Sequence, residues 1–285
     1  MAELLDKLHH YRWGILLAAL VLYLPVKLYL VAPLKIRARQ VRPRVPDYER
    51  SDASRLPREL AATFRVAGEQ LQKLGFTLVG YVGHRLAATK ASGNIAVWAN
   101  PAARDSAQVI TVQIPNPLRP GTMRTSALVT YRTDFTDGQI IATTNTRSPG
   151  VFPADPNADS IVCAGIDDLE LLYRVHRARV ERWGGRRTAS LHRVGDAIAC
   201  LADEHKTLFE RLTRAGYYEL DPTGQTYHMT IKGSFATTWR LLPPWRQVRM
   251  ALRRRKANQI LRELGFGGLD ELSRQQRYVP LALSE

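Results

Sequence analysis

Residues 13–33 read WGILLAALVLYLPVKLYLVAP, and Lys27 is the one charged residue in the run. A helix rises about 1.5 Å per residue, so this stretch would reach roughly 31 Å, the thickness of a bilayer core. In hydrocarbon every backbone N–H and C=O must pair within the segment, which makes a helix the expected form. Tyr11 and Trp13 open the run and Tyr29 lies near its end, where amphipathic rings prefer an interface. Pro25 predicts a kink, and Lys27 is close enough to the end to snorkel. The expectation is one transmembrane helix over 13–33.

A removable leader fits less well. Glu3 and Asp6 balance Lys7 and Arg12 ahead of the run, and Leu30-Val31-Ala32 before Pro33 is no small-x-small cleavage site. Lys35, Arg37, Arg39, Arg42, Arg44 and Arg50 follow the run, against two bases before it. Bases near a span stay in the cytoplasm, so the amino terminus is expected outside and residues 34–285 inside, with Lys35, Arg37, Arg39, Arg42 and Arg44 setting the topology.

The remaining chain has ordinary globular composition, 45% hydrophobic and 24% charged overall, which argues against disorder. Cys163 and Cys200 are the two cysteines; they form no CxxC and suggest neither a disulfide framework nor a zinc site. The net charge of +15 is concentrated. Residues 240–262 hold eight bases and no acid, whereas 51–239 hold 22 bases and 18 acids. A nucleic-acid-binding domain would spread such charge over a folded face.

Periodicity and punctuation divide the chain. Residues 1–12 are a tail and 34–56 a basic, proline-containing tether. Leu60, Phe64, Ala67, Leu71 and Leu74 recur at helical steps before Gly75. Runs at 76–83, 94–100, 108–114, 127–135 and 139–146 are short and β-branched, and the last two flank Thr136-Asp137-Gly138. This predicts a helix plus an antiparallel meander over 57–165, with 147–160 as a proline-rich loop. A helical region with a β-hairpin is expected over 166–242. Its first helix starts at Asp167-Asp168, where acids complement the helix dipole more simply than they make a catalytic pair. Leu191, Val194, Ile198, Leu201, His205, Leu208 and Leu212 then form a heptad stripe suited to a partner helix. In this stripe His205 is read as a packing residue. A basic amphipathic helix is expected over 243–267, and 268–285 is a tail. The fold class is therefore α+β: one amino-terminal membrane span, an antiparallel sheet covered by helices, a helix-and-hairpin region and a basic helix.

The segment LFERLTRAGYYELDPTGQTYHMTIKGSF (208–235) resembles the second half of a winged-helix domain. In such domains a helix ends in glycine, a two-stranded wing follows, and a T-x-K-G-like signature opens the next helix. The likeness covers about thirty residues, and no short turn upstream separates two helices as a helix-turn-helix requires. It implies nucleic-acid contact through Lys206, Arg211 and Arg214, among which Asp203, Glu204 and Glu210 are interspersed.

The basic helix carries the firmest site expectation. Trp245, Val248 and Leu252 make an apolar stripe that Ile260, Leu261 and Leu264 extend. Trp245, Arg246, Arg249, Arg253, Arg254, Arg255 and Lys256 are expected to meet anionic headgroups of a lipid bilayer. No P-loop, dinucleotide, zincin or nucleophile-elbow motif occurs, so no catalytic, cofactor-binding or metal-binding residue is assigned and no cofactor is expected. The reading from sequence is a membrane-anchored interaction or accessory protein, a subunit of a larger membrane complex or a homo-oligomer. Its alternatives are a tethered winged-helix-like regulator of nucleic acid and an enzyme acting on a membrane-associated substrate.

Overall fold

A computed structural model describes residues 21, 23–52, 54, 56–85, 92–115, 123–190 and 195–276. In chain order the elements are a π-turn at Lys27–Val31 continuing into α1 (Ala32–Arg39), β1 (Val41–Pro43), β2 (Tyr48–Ser51), α2 (Arg58–Lys73), β3 (Thr77–Arg85), β4 (Ser92–Asn100), β5 (Asp105–Pro115), β6 (Met123–Phe135), β7 (Ile140–Thr144), β8 (Ala158–Val162), α3 (Leu169–Gly184), β9 (Ala189–Ser190), α4 (Ala197–Arg214), β10 (Tyr218–Leu220), β11 (Thr226–Met229), α5 (Ile231–Leu241), α6 (Trp245–Glu263) and α7 (Leu269–Gln275). The chain divides into a smaller unit (1–44, 150–152 and 209–247) and a larger unit (45–149, 153–208 and 248–285).

The expected membrane span is corrected. Among the described residues no helix is long and apolar enough to cross a membrane. From residue 27 the helix is interrupted by the π-turn, and it then runs on through Lys35, Arg37 and Arg39. Residues 13–20 and 22 lie outside the described residues. The single-pass topology and the amino-terminus-out localisation built on that span fall with it.

In the larger unit, alternation along the strands builds a sheet of order β2-β3-β4-β5-β6-β7-β8, with β9 added beside β6. The meander β2 to β7 is antiparallel, and β8 runs parallel to β7. The sheet is thus mixed, where an antiparallel one was expected. Residues 147–160 were expected as loop throughout. Their end instead enters β8, reached by the longer connection that a parallel neighbour needs. Period-two alternation sorts the side chains between two faces. Ala96 and Trp98 pack with Ala107, Val109, Val129 and Tyr131 beneath Leu60, Phe64, Ala67 and Leu71 of α2. Leu169, Leu172 and Val175 of α3 join the same core, as do Ala257, Ile260 and Leu261 of α6 with Leu269 and Leu272 of α7. Val97, between Ala96 and Trp98, points the other way and packs with Val82, Ala197 and Leu201.

The heptad stripe is therefore redirected. Leu191 and Val194 lie outside the described residues. Ala197 and Leu201 of α4 lie on the sheet, and Glu204, one turn on, accepts from Gln108 Nε2 (3.0 and 3.1 Å) and Arg132 Nη1 (3.1 Å). A sheet face, not a second helix, takes this side of α4.

In the smaller unit the expected hairpin forms as β10 and β11. The stretch expected as a tether adds β1 as a third, antiparallel strand beside β11. Phe209, which the heptad count passes over, is buried and contacts the rings of Tyr218 and Tyr227 at 4.9 Å each.

Candidate functional site

Two constellations stand out, one in each unit. The first is a chain of buried polar side chains between the sheet and α3 of the larger unit. Helix α3 begins where expected, with Asp168 as N-cap accepting from Leu171 N (3.0 Å). Its core face carries Tyr173, His176 and Arg179 at three-residue steps, in line with Leu169 and Leu172. Asp105, at the start of β5, has a fully buried carboxylate. It accepts from Thr133 Oγ1 (2.6 Å), Tyr173 OH (2.9 Å) and Arg177 Nη1 (3.1 Å). Thr133 Oγ1 also lies 3.0 Å from His176 Nε2, and Thr143 Oγ1 lies 3.2 Å from Nδ1.

The proton positions follow. Thr133 spends its hydroxyl hydrogen on Asp105, so His176 Nε2 must be the donor to Thr133. Thr143 Oγ1 accepts from Arg179 Nη1 (2.9 Å), which leaves its own hydrogen for Nδ1. His176 is the neutral Nε2–H tautomer. Burial first, then the charges of Arg179 and Arg177, hold its pKa well below the ordinary histidine value. Arg179, fully buried, continues the chain to Asp159 Oδ2 (2.8 Å) and Asp159 O (2.9 Å), and Lys256 Nζ meets Asp159 Oδ1 at 3.0 Å.

Such a chain has the components of acid–base chemistry but not the access. Asp105, Thr133, Thr143, His176 and Arg179 are all buried. Neither of the two described clefts, one at Arg50–Asp52 and Val79–Val82 against Gly195–Ile198 and one along α6, includes any of them. Cys163 is buried too, and desolvation pushes its thiol up to about 12, far from a reactive thiolate. This constellation is a structural polar network that fixes α3 on the sheet. Among the described residues no group of three His, Cys, Asp or Glu could hold a metal ion.

The second constellation is the surface of the smaller unit. Pro33 has no N–H to give the Tyr29 carbonyl, and its ring would crowd that oxygen in a regular helix. The π-turn widens the helix there, Ala32 N bonding Lys27 O, and the Trp239 indole N–H donates to Tyr29 O at 2.9 Å. Tyr29, Ala32, Pro33 and Ile36 are the less exposed residues of this helix, while Val21, Tyr23, Leu24, Val26, Leu28, Leu30, Val31 and Leu34 are all exposed. Ile231, Trp239, Leu241 and Trp245 add exposed apolar groups in the same unit.

The T-x-K-G signature has a packing role. Thr230 Oγ1 caps α5 by accepting from Gly233 N (3.0 Å) and donates to Gly216 O (2.7 Å), and Lys232 Nζ donates to Ala215 O (2.7 Å). Gly233 lies against the Tyr217 backbone, where a side chain has no room.

The residues singled out from sequence lie on α1, β1, the segment after it and α6. Lys35, Arg37 and Arg39 are exposed on α1. Arg42 is in β1 and donates to Gln40 Oε1 (3.1 Å), and Arg44 reaches Gly224 O (3.4 Å). On α6, Trp245, Arg246 and Arg255 are exposed, and Arg249 is half-buried. Three of the bases are engaged within the larger unit: Arg253 with Ser148 O (3.0 Å), Arg254 with Asp270 (2.7 and 2.8 Å) and Lys256 with Asp159. Ile260 and Leu261 belong to the core instead of extending the stripe of Val248 and Leu252. The buried network went unseen in the sequence. Its one readable trace is the polar set Tyr173, His176 and Arg179 on an otherwise apolar helix face. Compared with protein-family models, curated proteins and solved structures, the chain matches none.

Proposed function

We propose that the protein is an interaction or accessory subunit that engages a protein partner through its smaller unit. One observation carries this reading. Among the described residues, fourteen of the eighteen exposed large hydrophobic side chains belong to the smaller unit. Helix residues 21 and 23–34 expose apolar groups on nearly every side except the one facing α5. A helix apolar all round is stable only when covered, and patches of this kind mark interaction surfaces. The larger unit, with Asp105, Thr133, Thr143, His176 and Arg179 of its network buried, supplies the scaffold.

The test uses the full chain in its native cells. Replacing Leu24 and Leu28 by Gln should shift the protein from a larger assembly to its own size on gel filtration of native extract. The melting transition should stay unchanged. Retention of the assembly by the doubly substituted chain would overturn the reading.

A second reading, nucleic-acid contact by the winged-helix-like segment, draws on charge: the described part of the smaller unit holds eleven bases and three acids. The helix meant to read bases weakens it, because Arg211 Nε and Nη1 are buried. Duplex DNA retained by the full chain, with affinity falling steeply as salt rises, would favour this alternative.

A further inference from the structure

Helix α6 presents a second, chemically different surface, confined to the larger unit. Arg253, Lys256, Ala257, Ile260 and Leu261 face the domain. At about 100° per residue, Val248, Leu252, Arg255, Gln259 and Arg262 fall on one stripe roughly 150° away. Val248 is 45% and Leu252 59% exposed. Arg255 and Arg262 are also exposed, and neither makes a hydrogen bond or ion pair with any described residue. Gln259 donates to Glu263 Oε1 (3.0 Å). A shallow groove is lined by Arg255, Gln259 and Arg262 of the stripe together with Ala251, Asn258 and Glu263, and the small Ala251 permits close approach.

The order of chemistry along this stripe selects its occupant. A lipid surface is uniform in its own plane, so a helix lying on it needs an apolar face along its whole length, with bases at the flanks. Here the same face is apolar at Val248 and Leu252 and cationic at Arg255 and Arg262. The character changes along the axis, not across it. An axial change suits a ligand whose own chemistry changes along an axis. We propose that this face docks an amphipathic helix of a partner protein, apolar at the end over Val248 and Leu252 and acidic at the end over Arg255 and Arg262. Steps of three and four residues over 248–262 give about 21 Å of seam, close to four turns of a partner helix. Complementary charge fixes its register and identity more than its affinity. The residues of this stripe all belong to the larger unit, and different substitutions test the two proposals, so they fail independently.

The test is a charge swap on the full chain. Two designed helical peptides of about four turns share a leucine half and differ in the other half, glutamate in one and lysine in the other. The native chain should bind the glutamate peptide at concentrations up to about 100 µM, and about tenfold more weakly as salt shortens the screening length well below 10 Å. It should ignore the lysine peptide. The doubly substituted chain Arg255→Glu, Arg262→Glu should show the reverse preference, an exchange that a folding defect cannot produce. Both positions are exposed, so its melting should match the native chain. Absence of glutamate-peptide binding, or no exchange of preference in the variant, would overturn the proposal. So would anionic vesicles that compete fully with the peptide, since they would reassign the face to lipid.

Discussion

Asp105→Ala is expected to destabilise the larger unit by about 3–5 kcal/mol, the range for removing one member of a buried charged pair. Nothing at the surface changes in this substitution. Tyr173 OH and Thr133 Oγ1 lose their acceptor, and Arg177 loses its counter-ion. Each stranded buried hydroxyl costs about 1–3 kcal/mol. Arg177 is partly exposed and can recover water, so its share is smaller. The damage propagates, because Thr133 is free to turn away from His176 once its own acceptor is gone. Asp105→Asn keeps the shape and one acceptor oxygen and should cost less than half as much. Urea unfolding of the two variants reads the difference. Equal midpoints for Asp105→Ala and the native chain would show that the network is not what holds α3 to the sheet.

Gly233→Ala should be the most damaging small substitution in the smaller unit. The added Cβ would press into the Tyr217 carbonyl group, only 2.9 Å from its carbon. That neighbour is backbone at the base of β10 and cannot rotate aside. Thr230 N also donates to Tyr217 O (3.0 Å), so moving that carbonyl breaks the link between strand and helix. Overpacking against rigid structure costs about 3 kcal/mol or more. Hydrogen exchange should show β10 and β11 losing protection while β4, β5 and β6 keep theirs. Native-like protection of Tyr227 and Met229 in the variant would contradict the packing described for α5.

Local signals carried much of the fold. The spacing Leu60, Phe64, Ala67, Leu71 marked α2, all four being core residues. Thr136-Asp137-Gly138 marked the β6–β7 turn, where Gly138 takes φ +80°. The hairpin around Asp221-Pro222-Thr223-Gly224 was equally plain. What failed depended on partners distant in sequence. Val41–Pro43 is too short and too basic to look like a strand, and it becomes one by pairing with Thr226–His228. Ala158–Val162 is edge strand beside Ile140–Thr144 for the same reason. Leu201 was read as a seam for another helix because periodicity records that a face is covered and not by what. The apolar run at 13–33 suggested a membrane by its length, its flanking aromatic residues and the bases after it. Among the described residues, Tyr29, Ala32, Pro33 and Ile36 are instead the less exposed side of the helix, and Tyr29 O accepts from the Trp239 indole of α5. Asp105 had no signal, since its partners Thr133, Tyr173 and Arg177 lie 28, 68 and 72 positions away.

The central claim is that the smaller unit carries the partner surface. Photo-crosslinking residues placed one at a time in the full chain, in its native cells, test it most directly. Leu24, Leu30 and Trp239 report on the smaller unit, and Arg65 and Glu69, exposed on α2, serve as controls on the larger. Protein adducts of one recurring mass at the first three positions, and none at the controls, are the predicted result. Adducts at Arg65 and Glu69 as strong as those at Leu24, Leu30 and Trp239 would contradict it, as would lipid as the only species captured.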